Sequence, residues 1–448
     1  MMTDNLFEKV IVVVLAGGGG RRLWPISTDA NPKPLCSFSQ DGKTMLQKAL
    51  DRTQKIVSAD KIFISTNGEV AEKIMAKIPG IGAENVITEP ATKDTAAAIG
   101  LCAIMLGQRQ PDAIMVVLTA DHVIPEESKF LDKIKEAVCV AQSGPYLVTL
   151  GITPTRASSE YGYIKTGPKL PIGEATLEGL NFEEKPNEQT ALGFLKEGTY
   201  LWNSGMFIWQ IDTILAAIKK YMPELHAGLE EIKEALHSAQ STQVINKVFG
   251  GLDKVSIDHG LMQKIKPGGE LRIAVIKADF DWSDLGNWNA MIMPADKKGN
   301  ICWGEGESSV KNSTNCVIHN AGEQKSFLLG LNDLVVVNSK LSTLVVPRKR
   351  AADVKQLVHE LNGDRDLKKY VEGDIPQVAR PLAGKCKSRD TENSIVFSDD
   401  GLVATIGVAD LIVARFRKNV VVAAKRYLPD LKDFLSEEEL AYITGLGT

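Results

Sequence analysis

The feature that most constrains the fold is an apolar run that ends in four consecutive glycines, VIVVVLAGGGGRRLWP at residues 10–25. Such a run followed by glycines is typical of a buried strand that leads into a tight turn. Glycines have no Cβ atom, so the backbone N–H groups of the turn can approach an anion closely. Arg21 and Arg22 add two guanidinium groups that suit a polyphosphate. The stretch favours a phosphate-binding turn, and a tight turn without a ligand is the alternative.

Other interpretations of this stretch fail on particular residues. No Gly-Lys-Ser/Thr follows, which excludes a P-loop, and the dinucleotide-binding pattern G-x-G-x-x-G is not met from Gly17 or Gly18. A signal peptide is disfavoured because Asp4 and Glu8 precede the apolar run. No apolar segment approaches the roughly 18 residues needed to span a bilayer. We expect no membrane partner.

Composition limits the class of protein and of partner. A length of 448 residues favours two domains. The net charge of −4 offers no basic field for nucleic acid, so any phosphate binding must be local. The cysteines lie far apart without a C-x-x-C pair, which suits thiols in a reducing cytoplasm better than disulfides or zinc. We expect a cytoplasmic protein.

Apolar runs and helix-like stretches alternate through the first 290 residues. The pattern predicts an α/β fold with a Rossmann-like, mostly parallel sheet flanked by helices, and ligands at the carboxyl ends of the strands. The predicted strands cover residues 10–16, 61–66, 113–118, 146–152, 205–211 and 271–277, and the clearest helical patterns cover 44–56, 94–109 and 128–143.

Near residue 295 the alternation gives way to short β-type runs, which predicts a smaller, β-rich C-terminal region. An internal repeat lies within it: Asp333-Leu334-Val335-Val336 matches Asp410-Leu411-Ile412-Val413, and both copies continue through a β-rich run into an amphipathic helix. The predicted domains are 1–295, a β-rich, β-helix-like module with a helix at 296–372, and a second, repeat-related module at 373–448. Residues 373–389 are predicted to be a linker.

The glycine turn and seven further motifs resemble those of the sugar-1-phosphate nucleotidyltransferases. The stretch from Leu15 to Pro25, with Pro32-Lys33 downstream, is similar to the family signature G-G-x-G-x-R-L followed by P-K, and its Leu-Trp-Pro form is similar to the mannose-1-phosphate guanylyltransferase group. The other motifs follow in family order: Glu89-Pro90 with Thr95-Ala96, Ala120-Asp121-His122, Tyr161 to Ile164, Phe182 to Pro186, Trp202 to Phe207, Ser256 to Asp258, and Trp282 to Trp288.

The resemblance implies a nucleotidyltransferase fold and an enzyme that transfers a nucleotidyl group to a sugar-1-phosphate. The implied substrates are GTP and mannose-1-phosphate, and Mg²⁺ is the implied cofactor. Arg22, Lys33, Asp121 and Asp284 would be the catalytic residues, with Asp121 and Asp284 as the metal ligands. The nucleotide would be bound by Leu15, Ala16, Gly17, Gly18, Gly20, Arg22, Glu89, Thr95 and Ala120. The sugar phosphate would be bound by Gly162, Glu184, Lys185 and Asn203.

Elementary chemistry is consistent with these roles. Transfer between two anionic groups depends on holding them in line and on neutralising their charge. Magnesium prefers one or two carboxylates together with phosphate oxygens and water. Glu89 could accept the N1–H and N2–H₂ of guanine, which is our hypothesis for the choice of base. His122 is expected to orient its neighbours, because an ionised phosphate oxygen needs no general base.

Alternatives remain open at this stage. The same motifs serve related enzymes that use another nucleoside triphosphate or another hexose-1-phosphate, such as glucose-1-phosphate. Regulatory members of the superfamily bind nucleotide sugars without catalysis, and loss of Arg22, Lys33, Asp121 or Asp284 would have favoured that class. His259 and Gln263 stand where the family often has Tyr and Glu, and this difference bears on sugar specificity or on helix packing. A homodimer is expected from the family alone.

Overall fold

The computed structural model describes residues 6–39, 41–373, 384–417 and 419–445. The chain forms two compact units, each built from two segments. The first unit contains the described parts of Met1–Gly17 and Leu46–Trp282, and the second those of Gly18–Met45 and Ser283–Thr448. The glycine turn, which begins at Gly17, is therefore divided between the units. The predicted domain boundaries at 295 and 372 stay predictions.

A nine-stranded sheet forms the centre of the first unit, with the strand order β3-β2-β1-β4-β8-β5-β9-β7-β6. Its pairings leave β7 and β8 running opposite to all the others, which confirms a mixed, mostly parallel sheet. All six predicted strands are present. The strands are β1 Val10–Leu15, β2 Ile62–Asn67, β3 Val86–Glu89, β4 Ile114–Thr119, β5 Tyr146–Ile152, β6 Tyr163–Lys169, β7 Thr176–Glu183, β8 Tyr200–Gln210 and β9 Arg272–Ala278.

Helices cover this sheet, and the three predicted from the sequence are confirmed. One of them, Thr95–Arg109, is buried over most of its length. A Cβ atom at its Gly100 would lie 2.6 Å from Leu229 of the helix Pro223–Ala235. Glycine therefore permits close packing of the two helices. The helices are α1 Met45–Thr53, α2 Gly68–Lys77, α3 Thr95–Arg109, α4 Glu127–Gln142, α5 Glu188–Glu197, α6 Ile211–Tyr221, α7 Pro223–Ala235, α8 Ser241–Gly251 and α9 Ile257–Gly260.

The second unit contains two β-sheets, with the orders β10-β12-β14-β15-β18-β16 and β11-β13-β20-β19-β17. Apolar residues from both sheets form a common core. The strands are β10 Ile301–Gly304, β11 Ser308–Lys311, β12 Val317–Asn320, β13 Lys325–Leu329, β14 Leu334–Asn338, β15 Ser342–Pro347, β16 Lys385–Arg389, β17 Ile395–Ser398, β18 Leu402–Ile406, β19 Leu411–Arg415 and β20 Asn419–Ala424.

The internal repeat is confirmed, and its two copies exchange strands. The hairpin β14–β15 of the first copy corresponds to β19–β20 of the second. The second strand of each hairpin pairs in parallel with a strand of the other copy: β15 pairs with β18, and β20 pairs with β13. Replacing each strand by its equivalent converts one sheet order into the other, apart from the additional β10. The two copies are thus related by a pseudo-two-fold axis and complete each other's sheets.

The predicted linker at 373–389 is wrong in its last part. Residues Lys385–Arg389 form β16, which pairs in parallel with β18 at the edge of a sheet. Their charged side chains suggested a linker, but such side chains are also typical of edge strands. Residues 374–383 lie outside the described part of the chain. The helical segments of the unit are α10 Val354–Gly363 and α11 Lys369–Glu372 in the first copy and α12 Glu437–Gly445 in the second.

In the described part of the chain, no helix has the length and apolar character required to cross a bilayer.

Candidate active site

The carboxyl ends of β1, β2 and β4 are tied together at one edge of the nine-stranded sheet. The amide of Ala16 donates to the Ser65 carbonyl at 2.9 Å, and the amide of Ala120 donates to the Leu15 carbonyl at 3.0 Å. The Thr66 hydroxyl donates to the Ala16 carbonyl at 2.9 Å. These bonds place Leu15, Ala16 and Ala120, three predicted nucleotide-binding residues, at the edge where ligands bind in open α/β sheets.

Glu89 ends β3 at the same edge. The Ser65 hydroxyl donates to its carboxylate at 2.9 Å. Burial raises the pKa of Glu89, and the Ser65 hydrogen bond opposes that effect. Thr95 begins α3, where the side chain of Asp94 caps its amide, and the Thr95 hydroxyl accepts a hydrogen bond from the Ile257 amide at 2.8 Å. A carboxylate and a capped helix start therefore border the edge.

The four predicted sugar-phosphate residues form one cluster in the first unit. The backbone N–H of Asn203 donates to the Gly162 carbonyl at 2.8 Å. A Cβ atom at Gly162 would lie 2.4 Å from the Glu184 carboxylate and 3.4 Å from Cβ of Asn203. Lys185 donates to the Glu184 carboxylate at 2.6 Å, and its own backbone has a φ of 49°. The cluster thus offers a carboxylate, an ammonium group and an amide around a position without a side chain.

Asp258 belongs to this cluster, although no role was assigned to it from the sequence. The side-chain Nδ2 of Asn203 donates to the Asp258 carboxylate at 2.8 Å. The Thr149 hydroxyl donates to the side-chain Oδ1 of Asn203 at 3.2 Å. Burial, reinforced by the neighbouring Glu184 carboxylate, raises the pKa of Asp258 to about 7. The signal that could have identified it was its motif, Ser256-Ile257-Asp258, in which the Ser256 hydroxyl caps α9.

Asp121 lies two residues beyond the end of β4, after Ala120, and is half-buried. The adjacent His122 is buried, and its Nδ1 accepts a hydrogen bond from the Trp282 indole at 3.2 Å. The buried Arg52 guanidinium donates to the His122 carbonyl at 3.2 Å. These hydrogen bonds anchor the segment that carries Asp121, and an orienting part for His122 stays a prediction.

In the second unit the glycine turn requires glycine at two positions. Gly18 and Gly20 have φ values of 95° and 55°. A Cβ atom at Gly20 would lie 2.4 Å from Cβ of Lys33 and 2.7 Å from the Ser27 hydroxyl. The Ser27 hydroxyl donates to the Gly19 carbonyl at 3.1 Å. Arg22 lies in the short 3-10 helix Arg21–Leu23 that follows. The turn therefore fixes the backbone position from which the Arg22 side chain extends.

Lys33 and Asp284 are brought together in the second unit. The Lys33 side chain is 7 % exposed, and its ammonium group donates to the Asp284 carbonyl at 2.8 Å. The Asp284 carboxylate accepts a hydrogen bond from the Gly286 amide at 3.1 Å. Lys33 is thus a buried cation held by a backbone oxygen, rather than a solvated surface lysine.

The segment around α11 supports the glycine turn. The Trp24 indole donates to the Tyr370 carbonyl at 2.9 Å, and the Trp288 indole donates to the Trp24 carbonyl at 3.0 Å. The amides of Asp29 and Ala30 donate to the carbonyls of Val371 and Glu372 at 3.1 and 2.8 Å. The first copy of the β/helix module therefore contributes to the shape of the predicted phosphate turn.

A family model described as nucleotidyl transferase matches residues 11–298. The chain belongs to the nucleotidyltransferase family. A second model, described as a MannoseP isomerase/GMP-like beta-helix domain, matches residues 310–361 and 388–437, which are parts of the two repeat copies. The β-helix-like expectation for the C-terminal region is thereby confirmed.

Relatives of known name share both the sequence and the fold of this nucleotidyltransferase. A putative mannose-1-phosphate guanylyltransferase of Vibrio cholerae is 34 % identical over 77 % of the chain and 73 % of the relative. The mannose-1-phosphate guanylyltransferase of Escherichia coli K12 is 33 % identical over 77 % and 72 %. The crystal structure of mannose-1-phosphate geranyltransferase from Thermus thermophilus is 31 % identical with a TM-score of 0.70, covering 79 % of this chain and 99 % of that one. The chain is an enzyme of the mannose-1-phosphate guanylyltransferase group.

The carboxylates of this nucleotidyltransferase suit a hard divalent cation. Among the described residues, no group of three or more His, Cys, Asp and Glu side chains could hold a metal ion. A site built from one or two carboxylates and completed by substrate oxygens and water fits Mg²⁺ chemistry. Asp121 and Asp284 are of the right type. Asp121 belongs to the first unit and Asp284 to the second.

Proposed function

We propose that the enzyme transfers a guanylyl group from GTP to mannose-1-phosphate and forms GDP-mannose and pyrophosphate. The observation that carries the proposal is the cluster of Gly162, Glu184, Lys185 and Asn203, in which Asn203 pairs with Gly151 near the carboxyl end of β5. A carboxylate and an amide can pair with sugar hydroxyls, and an ammonium group can pair with a phosphate. The names of the relatives support the choice of sugar and base.

In the proposed reaction, a phosphate oxygen of mannose-1-phosphate attacks the α-phosphorus of GTP. A new P–O bond forms, and the bond from the α-phosphorus to the bridging oxygen breaks, so that pyrophosphate leaves with that electron pair. The attacking oxygen is already ionised, so no side chain has to remove a proton. The enzyme has to hold both phosphates in line and to balance their charge.

The charge is balanced by cations of the chain in this proposal. Arg22 and the backbone amides of Gly17, Gly18 and Gly20 would hold the triphosphate, and Lys33 would pair with the α-phosphate. Its hydrogen bond to the Asp284 carbonyl fixes the Lys33 ammonium group before substrate arrives. Mg²⁺, held by Asp121 and Asp284, would supply further charge neutralisation at the phosphates when bound.

The base would be read at the end of β3. Glu89 presents a carboxylate whose second oxygen lies beyond the Ser65 hydrogen bond, and an ionised carboxylate can accept both N1–H and N2–H₂ of guanine. Adenine offers no such pair of donors at that edge. Thr95 and the backbone of Leu15, Ala16 and Ala120 would complete the nucleotide site.

The six free thiols support a cytoplasmic enzyme.

The test is pyrophosphate release over a matrix of nucleoside triphosphates and hexose-1-phosphates, with Mg²⁺ and with chelator. We expect turnover with GTP and mannose-1-phosphate that requires Mg²⁺. Turnover with another pair alone would transfer the assignment to a related nucleotidyltransferase, and no turnover with any pair would refute the enzymatic proposal.

Neighbouring arginines provide a matched comparison for the phosphate turn. Arg22→Gln should lower turnover by about 100-fold, because a charge-assisted contact to the triphosphate is lost. Arg21→Gln makes the same chemical change on an exposed side chain at a variable position of the motif. We expect Arg21→Gln to retain turnover within about twofold. Equal losses in both variants would contradict the role of Arg22.

A further inference from the structure

A cavity of about 890 Å³ lies between the two repeat copies of the second unit. Its wall contains equivalent residues from both copies, namely residues 330–334 with 407–411 and Lys349 with Arg426. A cavity bounded by equivalent residues lies on the pseudo-two-fold axis. Its volume is within the range of roughly 300–1,000 Å³ that is usual for sites that bind small molecules.

Three cationic side chains line this axial cavity: Arg348, Lys349 and Arg426. Lys349 and Arg426 are exposed. Arg348 donates to the side-chain oxygen of Asn289 at 2.8 Å and to Asn315, so its partners are neutral amides. Within the described ranges, none of the three cations forms an ion pair. Their charge is therefore available to an anionic ligand.

Two equivalent carboxylates line the same cavity. Asp333 and Asp410 each have a φ of 55° and each accept a hydrogen bond from an asparagine of the preceding turn, Asn315 or Asn393. Neither carboxylate pairs with a cation among the residues that the structure describes. The cavity therefore presents cations and hydrogen-bond acceptors at separate places on its wall.

We propose that the axial cavity binds a phosphorylated sugar. Guanidinium and ammonium groups are suited to a phosphate, whereas carboxylate and amide oxygens accept hydrogen bonds from hydroxyl groups. Inorganic phosphate lacks the several hydroxyl groups of a sugar and offers these oxygens only its P–OH hydrogens, while its charge is repelled by the two carboxylates. All lining residues belong to the second unit, so this site is separate from the sugar cluster of the first unit. The inference goes beyond the proposed reaction, because binding here requires no turnover.

The experiment is equilibrium binding of mannose-1-phosphate to the full chain by calorimetry, without nucleotide. Glu184→Gln/Lys185→Gln serves as the background, because it removes the charged sugar contacts of the first unit. In this background we expect one mannose-1-phosphate per chain. Adding Lys349→Gln/Arg426→Gln should weaken that binding at least tenfold. Inorganic phosphate should bind the background at least tenfold more weakly than the sugar phosphate.

The control is Lys355→Gln/Lys432→Gln, which makes the same change of charge. These two lysines are exposed, occupy equivalent positions in the two copies and do not line the cavity. The control should bind as the background does. The proposal is overturned by unchanged affinity in Lys349→Gln/Arg426→Gln, by an equal loss in the control, by equal binding of inorganic phosphate, or by no binding in the background. Failure of the proposed reaction is a separate result, since it is measured by pyrophosphate release.

Discussion

At Gly162, one added carbon atom would act directly on the Glu184 carboxylate of the candidate sugar site. A Cβ atom there would meet the end of the flexible Glu184 side chain, which can move away, so the fold should persist while the carboxylate is displaced. Gly162→Ala should therefore raise the KM for mannose-1-phosphate by about 10- to 100-fold, as expected for loss of a hydrogen bond to a charged group.

Steady-state kinetics would measure this effect, with thermal unfolding to confirm the fold. Gly193→Ala is the control, because nothing lies within 4 Å of a Cβ atom at that position. A KM that is unchanged in Gly162→Ala would remove Glu184 from the sugar site.

Asp258 gives the same cluster a pH dependence. Its pKa is raised from 3.8 to about 7, so the folded state holds a proton that the unfolded state has released over this interval. The stabilising contribution is complete below pH 3.8 and is lost as the pH rises through 7. Asp258→Asn cannot lose a proton there. Relative to the wild type, its free energy of unfolding should rise between pH 4 and pH 7, by at most about 1.4 kcal/mol per pH unit.

Urea unfolding at several pH values would measure this difference. Asp253→Asn is the control, because Asp253 is an exposed carboxylate of the same chain segment. If both variants follow the wild type in parallel, Asp258 does not titrate in this range.

At the scale of elements, strand exchange makes the two repeat copies interdependent. Without the second copy, β15 would lose β18 and β13 would lose β20, which leaves buried apolar strands with unpaired backbone groups. We expect a chain that ends at residue 373 to be insoluble or aggregated. Co-expression with residues 384–448 as a separate chain should restore a soluble complex, because the exchanged strands are again available.

Co-purification of the two fragments, followed by pyrophosphate release, would test this expectation. The control is the same short chain co-expressed with an unrelated peptide of equal length. A chain ending at residue 373 that is soluble, folded and fully active alone would show that the second copy is dispensable.

Prediction from the sequence succeeded where one element carried its own signal. The apolar runs at residues 10–16 and 113–118 and the helix that begins at Thr95 are continuous patterns, so each strand or helix could be read locally. The repeat was visible in Asp333 to Val336 and Asp410 to Val413. The exchange of strands was not visible, because pairing between distant segments leaves no local periodicity. The β16 strand was missed since its Lys and Arg side chains have the composition of a linker.

The candidate site was predicted to a similar extent. Family motifs indicated the residues, and the structure groups Gly162, Glu184, Lys185 and Asn203 as one cluster. Their roles in binding stay predictions. Asp258 was not recognised as a member, because its part depends on burial beside Glu184, and burial of a single polar residue cannot be read from a sequence.

At the scale of the whole molecule, Gly18–Met45 belongs to the second unit, although it follows β1 of the first. The stability of the predicted phosphate turn should therefore follow that of the C-terminal strands. Arg415 offers a way to perturb those strands from a distance. It is fully buried in β19 and donates to the carbonyls of Ser339, Lys340 and Asp400 and to the Thr343 hydroxyl at 2.7–3.1 Å.

Arg415→Met should leave these acceptors without donors and lower the stability of the second unit by at least about 2 kcal/mol. Hydrogen exchange of the amides would measure how the effect spreads. The amides of Asp29 and Ala30, which donate to Val371 and Glu372, should lose protection together with β13 and β20. The amides of β1 and β4 should keep theirs, because they pair within the first unit. Arg417→Met, two residues away and exposed, should change neither group. Retained protection of Asp29 and Ala30 alongside exchange in β13 would show that the phosphate turn is stabilised independently of the repeat copies.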